Sequence, residues 1–193
     1  MSPPLEDSPT EPKEFSTEER ALLLKLAHEA IASALQRRQV SLPPPSPHLA
    51  EPRGVFTTLY RHGILRGCIG QVFPIAPLYR AVMETARGAA FEDPRFPPLS
   101  GEELLDLKVS LSVLSLLKPI LPEHVEIGRH GLQIKLGSRR GLLLPQVPVE
   151  HGWDRITFLE QTCVKAGLSA NAWQAGAGIE AFTAEVFGDG DAA

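Results

Sequence analysis

The sequence predicts an α+β protein in which an antiparallel sheet is built from hairpins and flanked by helices. Three observations support this. Two β-rich segments are each followed by a turn and a returning segment, another segment alternates apolar with polar residues, and helical spacing recurs between them. The 193 residues, 43% hydrophobic and 22% charged, suffice for one globular domain, or for one domain with a small subdomain.

The two ends of the chain differ from the rest in composition. Residues 1–14 are polar and contain four prolines, so we expect a flexible N-terminal tail. The Gly-Asp repeat near the C-terminus predicts a second flexible tail over residues 188–193. The folded domain is therefore expected to span residues 15–187.

The first helix is predicted over Thr17–Arg38. Ser16 and Glu19 have the spacing of a capping box, in which each side chain accepts a hydrogen bond from a backbone N–H of the first turn. Arg37 and Arg38 would lie at the negative, C-terminal end of the helix dipole. A proline-rich linker over residues 42–47 follows the helix.

A hairpin and a helix come next. Residues 55–60 are β-branched and aromatic, His62 and Gly63 form the turn, and residues 64–70 return. Helical spacing then predicts a second helix over residues 75–91, which ends before the proline-rich segment 92–98.

The second half of the chain mixes short elements. Ser100 and Glu103 indicate another capping box, and residues 107–113 alternate as a half-buried strand does. We also predict a hairpin over residues 132–144, a helix from Asp154 to Gly167 and one final strand over residues 180–187. We expect this last strand to pair back to the sheet.

Composition excludes several classes of protein. A net charge of −4 argues against general nucleic-acid binding, and no apolar run reaches the ~20 residues of a membrane span. With neither a signal peptide nor a disulfide framework, the chain is expected in the cytoplasm. Metal-site spacings and phosphate-binding loops are absent from the sequence, so we predict no metal site, and no cofactor is identified.

The returning strand of the first hairpin carries the strongest chemical signal. Strand alternation would place Arg66 and Cys68 on one face, roughly 6–7 Å apart at Cβ. A cation beside a thiol favours the thiolate, which would activate Cys68, although free cysteines are more often buried and structural. Gly67 and Gly70 suggest a bulge or a close backbone approach.

The roles of Arg66 and the histidines stay open. If Arg66 is buried it needs a carboxylate partner, for which Glu92 and Asp93 are the candidates, and such a pair would be structural as readily as ligand-binding. His130 and His151 precede glycines and could line a cleft or serve as a base for Cys68, but a single histidine is more often on the surface or in the core.

The hexapeptide L-R-G-C-I-G at residues 65–70 resembles the signature of the AMMECR family, whose prokaryotic members are called AmmeMemoRadiSam system protein A. Four further segments agree with that family, and the resemblance extends from about residue 18 to residue 187. The agreeing segments are A-F-E-D-P-R-F at 90–96, G-R-H-G-L at 128–132, G-L-L-L-P-Q-V at 141–147 and H-G-W-D at 151–154, which leads to F-L-E-Q-T-C at 158–163.

The resemblance implies a larger and a smaller subdomain with a cleft between them, and a signature strand close to that cleft. It also implies a pathway shared with a Memo-like protein and a radical SAM enzyme. This chain lacks the cysteine set of an iron–sulfur cluster, so it cannot itself supply radical SAM chemistry.

Two functional hypotheses follow. In the first, the chain is a binding or accessory module that holds a small molecule or a partner. Its predicted ligand-binding residues are Arg66, Gly67, Gly70, Asp93, Arg95 and Gln146, with His130 as a further polar anchor. In the second, the chain is a thiol enzyme with Cys68 as nucleophile and His130 or His151 as base. We favour the first because no arrangement of nucleophile, base and oxyanion hole can be assembled from the sequence.

Overall fold

The computed structural model describes residues 13–38 and 45–190. It contains four α-helices and eight strands in these ranges, together with short 3-10 turns. The helices are α1 (Thr17–Leu35), α2 (Leu78–Phe91), α3 (Gln146–Glu150) and α4 (Arg155–Lys165). The strands are β1 (Val55–Arg61), β2 (Ile64–Gln71), β3 (Leu107–Leu114), β4 (Lys118–Pro119), β5 (Gly131–Leu136), β6 (Arg139–Leu143), β7 (Gly178–Phe182) and β8 (Ala184–Gly188).

The strands form two four-stranded sheets, and the α+β prediction is confirmed. The strand order is β2-β1-β3-β8 in the first sheet and β4-β7-β5-β6 in the second. Strand β1 pairs antiparallel with β2, β4 with β7, and β5 with both β6 and β7. The chain divides into two compact units, one made of Met1–Ser112 with Glu185–Ala193 and the other of Val113–Ala184.

The first unit is built by stacking α1 on α2 and α2 on the hairpin of β1 and β2. The buried side chains of these elements are mostly apolar, and each buried leucine contributes about 2 kcal/mol. A buried hydrogen bond of 2.7 Å joins the hydroxyls of Thr57 on β1 and Thr85 on α2. The hairpin that carries the signature is therefore held rigidly against α2.

The second unit has its own core between the second sheet and α4. Its buried residues come from the end of the 3-10 turn before β5, from β5 and β7, from α4 and from the segment after α4. They are Val125, Leu132, Ile134, Phe158, Leu159, Cys163, Ala172, Ala177 and Ala181. Asp154 caps α4 as predicted, because its side chain accepts the Thr157 N–H at 2.8 Å.

Local sequence signals are confirmed in several places. Both capping boxes form, at Ser16 with Glu19 and at Ser100 with Glu103. The first hairpin turns at His62 and Gly63, which both have positive φ, as a tight two-residue turn requires. The apolar positions of β3 are buried in strict alternation.

Two helix boundaries differ from the predictions. Helix α1 ends at Leu35, because Arg37 adopts φ 52° and the Arg38 N–H donates to the Ser33 carbonyl, which closes the helix end. Helix α2 begins at Leu78 rather than at residue 75, because Pro77 disfavours helical backbone in the residue before it. The residue at 75 is 80% exposed.

The final strand prediction is wrong in one respect: residues 180–187 belong to two strands in different sheets. Thr183 lies between β7 and β8 and belongs to neither strand. Its carbonyl accepts the Ser115 N–H at 2.9 Å, and its N–H donates to the Ser115 hydroxyl at 3.0 Å. These bonds satisfy the backbone at the point where the chain passes from one sheet to the other.

The predicted tails lie largely outside the described residues, which exclude 1–12 and 191–193. The described residues of the C-terminal segment are held by hydrogen bonds to the rest of the first unit. The Asp189 carboxylate accepts the Val109 N–H at 2.7 Å and lies 2.8 Å from His28 Nε2. The domain limits 15–187 otherwise stay a prediction, and residues 42–44 of the predicted linker are also outside the described ranges.

Candidate functional site

The signature strand contains a β-bulge at Arg66. Leu59 pairs with Gly67 and Tyr60 pairs with Leu65, so Arg66 is the extra residue on β2. The bulge predicted from the glycines is therefore present. The bulge interrupts the alternation of side chains along β2. That alternation was the basis for the prediction that Arg66 and Cys68 project side by side from one face.

The two glycines of the signature allow close packing. A Cβ on Gly67 would overlap the carbonyl oxygen of Ala89, a backbone atom of α2. A Cβ on Gly70 would overlap the ring of Phe56, which lies against the strand. These contacts explain both glycines through the fold, while the ligand-binding role predicted for them stays a prediction.

Arg66 is paired with Glu103, and the predicted partners Glu92 and Asp93 are wrong. Its Nε donates to Glu103 Oε1 at 2.7 Å and its Nη2 to Oε2 at 3.1 Å. Nη2 also donates to the Pro97 carbonyl at 2.9 Å. The two charged side chains are only 12% and 14% exposed, so the guanidinium of Arg66 is neutralised inside the protein.

Glu103 connects two parts of the first unit. Besides binding Arg66, it accepts the Ser100 backbone N–H at 2.9 Å in the capping box. The hydrogen bond from Arg66, and then that from Ser100, lower the pKa of Glu103 to about 2, against the opposing effect of burial. Glu103 thus stabilises the bulge and the 3-10 turn together.

Asp93 organises the loop beside Cys68. Its buried carboxylate accepts four hydrogen bonds: from the Cys68 N–H at 2.8 Å and from the N–H, Nε and Nη2 of Arg95 at 3.1, 3.0 and 2.7 Å. The Arg95 guanidinium, followed by the Cys68 N–H, holds the pKa of Asp93 far below its usual value. Because both carboxylate oxygens accept hydrogen bonds from these two residues, Asp93 fixes the positions of Cys68 and Arg95.

Arg95 combines a fixed orientation with exposure to solvent. Its side chain is 55% exposed, although Asp93 is only 3% exposed. Its guanidinium carbon lies 5.4 Å from the centroid of the Phe96 ring, and that of Arg66 lies 5.9 Å from the same centroid. The carboxylate of Asp93 raises the pKa of Arg95.

Cys68 is half-buried, whereas Cys163 is buried. The hydroxyl of Thr58, directly opposite on β1, donates to Cys68 Sγ at 3.4 Å. Within residues 13–38 and 45–190, no imidazole hydrogen-bonds this sulfur. Burial raises the pKa of the Cys163 thiol, which sits in the core of the second unit.

The remaining predicted site residues belong to the second unit. His130 Nδ1 accepts the Glu126 N–H at 3.0 Å, which orients its ring locally. His151 stacks on Trp153 with ring centroids 4.7 Å apart. Gln146 is exposed at the first position of α3. The structure therefore joins Cys68, Asp93 and Arg95 in one cluster of the first unit, with His130 and Gln146 in the other unit.

Sequence reasoning missed three residues of this cluster: Thr58, Phe96 and Glu103. The sequence predicted a role for Glu103 only in a capping box, because no sequence pattern places this residue against β2. The structure shows no helix able to cross a membrane and no cluster of three potential metal ligands among the residues it describes.

Comparison with known proteins gives consistent matches along the chain. The AMMECR1 family model matches residues 24–187. Protein MK0488 of Methanopyrus kandleri is 44% identical over 91% of this chain and 90% of its own length. A protein of Thermococcus gammatolerans is 46% identical over 86% of this chain and 87% of its own length.

A solved structure also matches. The crystal structure of the uncharacterised protein PH0010 from Pyrococcus horikoshii is 42% identical in sequence, with a TM-score of 0.64. The match covers 86% of this chain and 89% of that chain.

Proposed function

The chain belongs to the AMMECR1 family, and we propose that it is a cytoplasmic accessory component that binds a small molecule or a partner protein. The proposed partners are a Memo-like protein and a radical SAM enzyme of the same system, as the family resemblance implies. Nucleic acid is not proposed as a partner, because the chain carries a net charge of −4.

One observation carries the proposal: Arg95 is locked by Asp93 yet remains 55% exposed. A side chain held in one orientation loses little conformational entropy when it binds a ligand. Arg66 supports the loop that carries Arg95 from its buried side, because its guanidinium binds both the Glu103 carboxylate and the Pro97 carbonyl. The surface defined by Cys68, Arg95 and Phe96, here called the Arg95 surface, is therefore prepared for binding.

The same cluster favours binding over catalysis. An activated thiol nucleophile needs a base within hydrogen-bond reach. Among the described residues, the side chain that hydrogen-bonds Cys68 Sγ is the hydroxyl of Thr58, which is a poor base. Asp93 is occupied by four donors and is a weak proton acceptor for the same reason.

Calorimetric titration with the purified Memo-like and radical SAM proteins of the same genome tests the proposal. We expect Arg95→Ala and Arg66→Ala to weaken binding of one of them by about tenfold, since a charge-assisted contact or its support is lost. Cys68→Ser should leave the affinity nearly intact. Arg87→Ala, on the exposed surface of α2, is the matched control. Unchanged binding by Arg95→Ala would refute this role for the Arg95 surface.

The half-buried position of Cys68 supports a second candidate, a thiol-dependent enzyme. Its sulfur is more accessible than that of Cys163, which is fully buried. In this proposal Cys68 is the nucleophile. His130 and His151, the bases that the sequence suggested, belong to the other unit.

Iodoacetamide labelling of the folded protein tests the thiol proposal. The sulfur forms a bond to carbon, iodide leaves and the proton passes to the buffer. We expect Cys68 to be labelled in the folded protein, and Cys163 only after unfolding. Peptide mass spectrometry identifies the labelled cysteine, with Cys68→Ser as control. If Cys68 reacts only after unfolding, the thiol enzyme proposal fails.

A further inference from the structure

Glu14 and Phe15, the two residues before the N-cap of α1, are held in a pocket of the first unit. Phe15 is only 2% exposed, and its ring stacks on that of His48 with centroids 4.8 Å apart. The centroid of the Phe187 ring on β8 lies 6.3 Å from that of Phe15, in a tilted arrangement. We call the site formed by His48, Arg53 and Phe187 the Phe15 pocket.

The aromatic part of the Phe15 pocket is built by residues outside α1. A residue directly before an N-cap often packs against an apolar residue at the fourth position of its helix. In α1 the fourth residue is Arg20, which is charged and pairs with Glu185 at 2.6 Å. The ring of Phe15 instead stacks on His48, from a 3-10 turn, and lies near Phe187, from the last strand. The rest of the first unit therefore presents an aromatic site to this segment.

Arg53 forms the charged part of the pocket. Its side chain is 4% exposed, and its Nη2 donates to Glu14 Oε1 at 2.5 Å and to Glu51 Oε2 at 3.0 Å. Among the described residues its Nε and Nη1 find no acceptor, although both atoms are buried. Without Glu14, Arg53 would keep only the carboxylate of Glu51, which is itself 50% exposed. Because a buried guanidinium needs a charge partner, any segment that replaces Glu14 gains by bringing a carboxylate.

The segment can leave its pocket without disturbing the start of α1. The capping box joins Ser16 to Glu19, and neither residue belongs to the segment. The Glu14 backbone N–H donates to Glu185 Oε2 at 2.7 Å, and water can replace this bond because it is exposed. The AMMECR1 model matches residues 24–187, so the pocket residues lie inside the matched domain while their occupant precedes it. The occupant is therefore separable from the pocket.

We propose that the Phe15 pocket is a peptide-binding site, and that its ligand is a segment of a partner protein in which an acidic residue directly precedes a phenylalanine. Arg53 binds the carboxylate of that segment and His48 stacks on its ring, as they do with Glu14 and Phe15. The chain's own segment occupies the site in cis and is an autoinhibitory contact, which the partner must displace. The pocket shares no residue with the Arg95 surface, so it is a second site, independent of the proposed function.

Fluorescence anisotropy with the full chain tests this inference. The probe is a fluorescein-labelled hexapeptide with the sequence of residues 12–17, P-K-E-F-S-T. The Phe15→Ala variant of the protein empties the aromatic part of the pocket. Leu105→Ala is the control, because it also truncates an apolar side chain of the first unit, but one that is 91% exposed. Circular dichroism checks that each variant is folded. If Phe15→Ala is not, Phe15→Leu, which keeps apolar volume without a ring, replaces it.

We expect the peptide to bind the Phe15→Ala protein saturably, and to bind the wild type and Leu105→Ala at least about tenfold more weakly. In the last two proteins the tethered segment competes at an effective concentration on the order of millimolar. Peptides that carry Glu14→Gln or Phe15→Ala should bind the emptied pocket about tenfold more weakly than the parent peptide, because each loses one of the two contacts.

Several outcomes overturn the inference. No saturable binding to the folded variant would mean that Phe15 is only a part of the core. Equal affinity for the wild type and for Phe15→Ala would mean that the peptide binds elsewhere. Equal affinity of the three peptides would show that neither Arg53 nor His48 recognises the ligand. Binding that disappears when Arg95→Ala is added to the Phe15→Ala protein would assign the peptide to the Arg95 surface instead.

Discussion

Gly67→Ala is expected to lower the free energy of unfolding by about 3 kcal/mol or more. The added Cβ would overlap the Ala89 carbonyl oxygen, and it would lie 3.0 Å from the carbonyl carbon. Both atoms belong to the backbone of α2, so no side-chain rotation can relieve the overlap. Strand β2 and helix α2 must move apart, which opens the packing beneath the signature strand.

Urea unfolding followed by far-UV circular dichroism measures this loss. Gly101→Ala is the matched control, because a Cβ at Gly101 meets no atom within 4 Å and that residue does not have positive φ. We expect the control to unfold within about 0.5 kcal/mol of the wild type. A Gly67→Ala protein as stable as the Gly101→Ala protein would show that β2 and α2 are not packed this closely.

Glu103→Gln is expected to cost about 3 kcal/mol of stability at neutral pH, because it leaves the largely buried Arg66 without its charge partner. Glutamine keeps the volume of the side chain and an oxygen for the Ser100 N–H, while its NH2 group replaces the oxygen that accepts from Arg66 Nε. The change therefore removes the charge and that one hydrogen bond. Thermal and urea unfolding of both proteins measure the difference. A loss below about 0.5 kcal/mol would mean that the pair adds nothing beyond an exposed ion pair.

The pH dependence gives an independent check of the same contact. The pKa of Glu103 is about 2 in the folded protein and 4.5 without the fold. A lowered folded pKa means that the stabilisation is fully present above pH 4.5 and is lost as the pH falls towards 2. The stability difference between wild type and Glu103→Gln should therefore shrink over that range. A difference that stays constant from pH 5 to about 2 contradicts the lowered pKa.

Loss of the Arg66–Glu103 contact should also affect binding at the Arg95 surface. Arg66 holds the Pro97 carbonyl, and Pro97 directly follows Phe96 in the loop that carries Arg95. A variant that unfolds at the assay temperature cannot report on binding, so the titrations use temperatures at which Glu103→Gln is fully folded. The structural and ligand roles of Arg66 are then measured separately.

Much of the fold was predictable from residues close together in the sequence. The capping boxes, the His62-Gly63 turn and the alternation of β3 depend on local geometry, and the structure confirms them. The predictions were wrong where contacts between residues far apart in the sequence determine the structure. Thr183 lies between two strands, and its backbone is bound by Ser115, which is 68 residues away in the sequence.

The sequence by itself determined the family and the α+β class, and it singled out Cys68, Asp93 and Arg95 as candidate site residues. Only the tertiary structure decided which charges meet. Arg66 lies 37 residues from Glu103, and no short-range spacing encodes that pair. Arg66 lies at the bulge and binds Glu103, while Asp93 binds both the exposed Arg95 and the backbone N–H of Cys68. Electrostatic pairing depends on distance in space, and that distance is set only once β2, α2 and the following loop have packed.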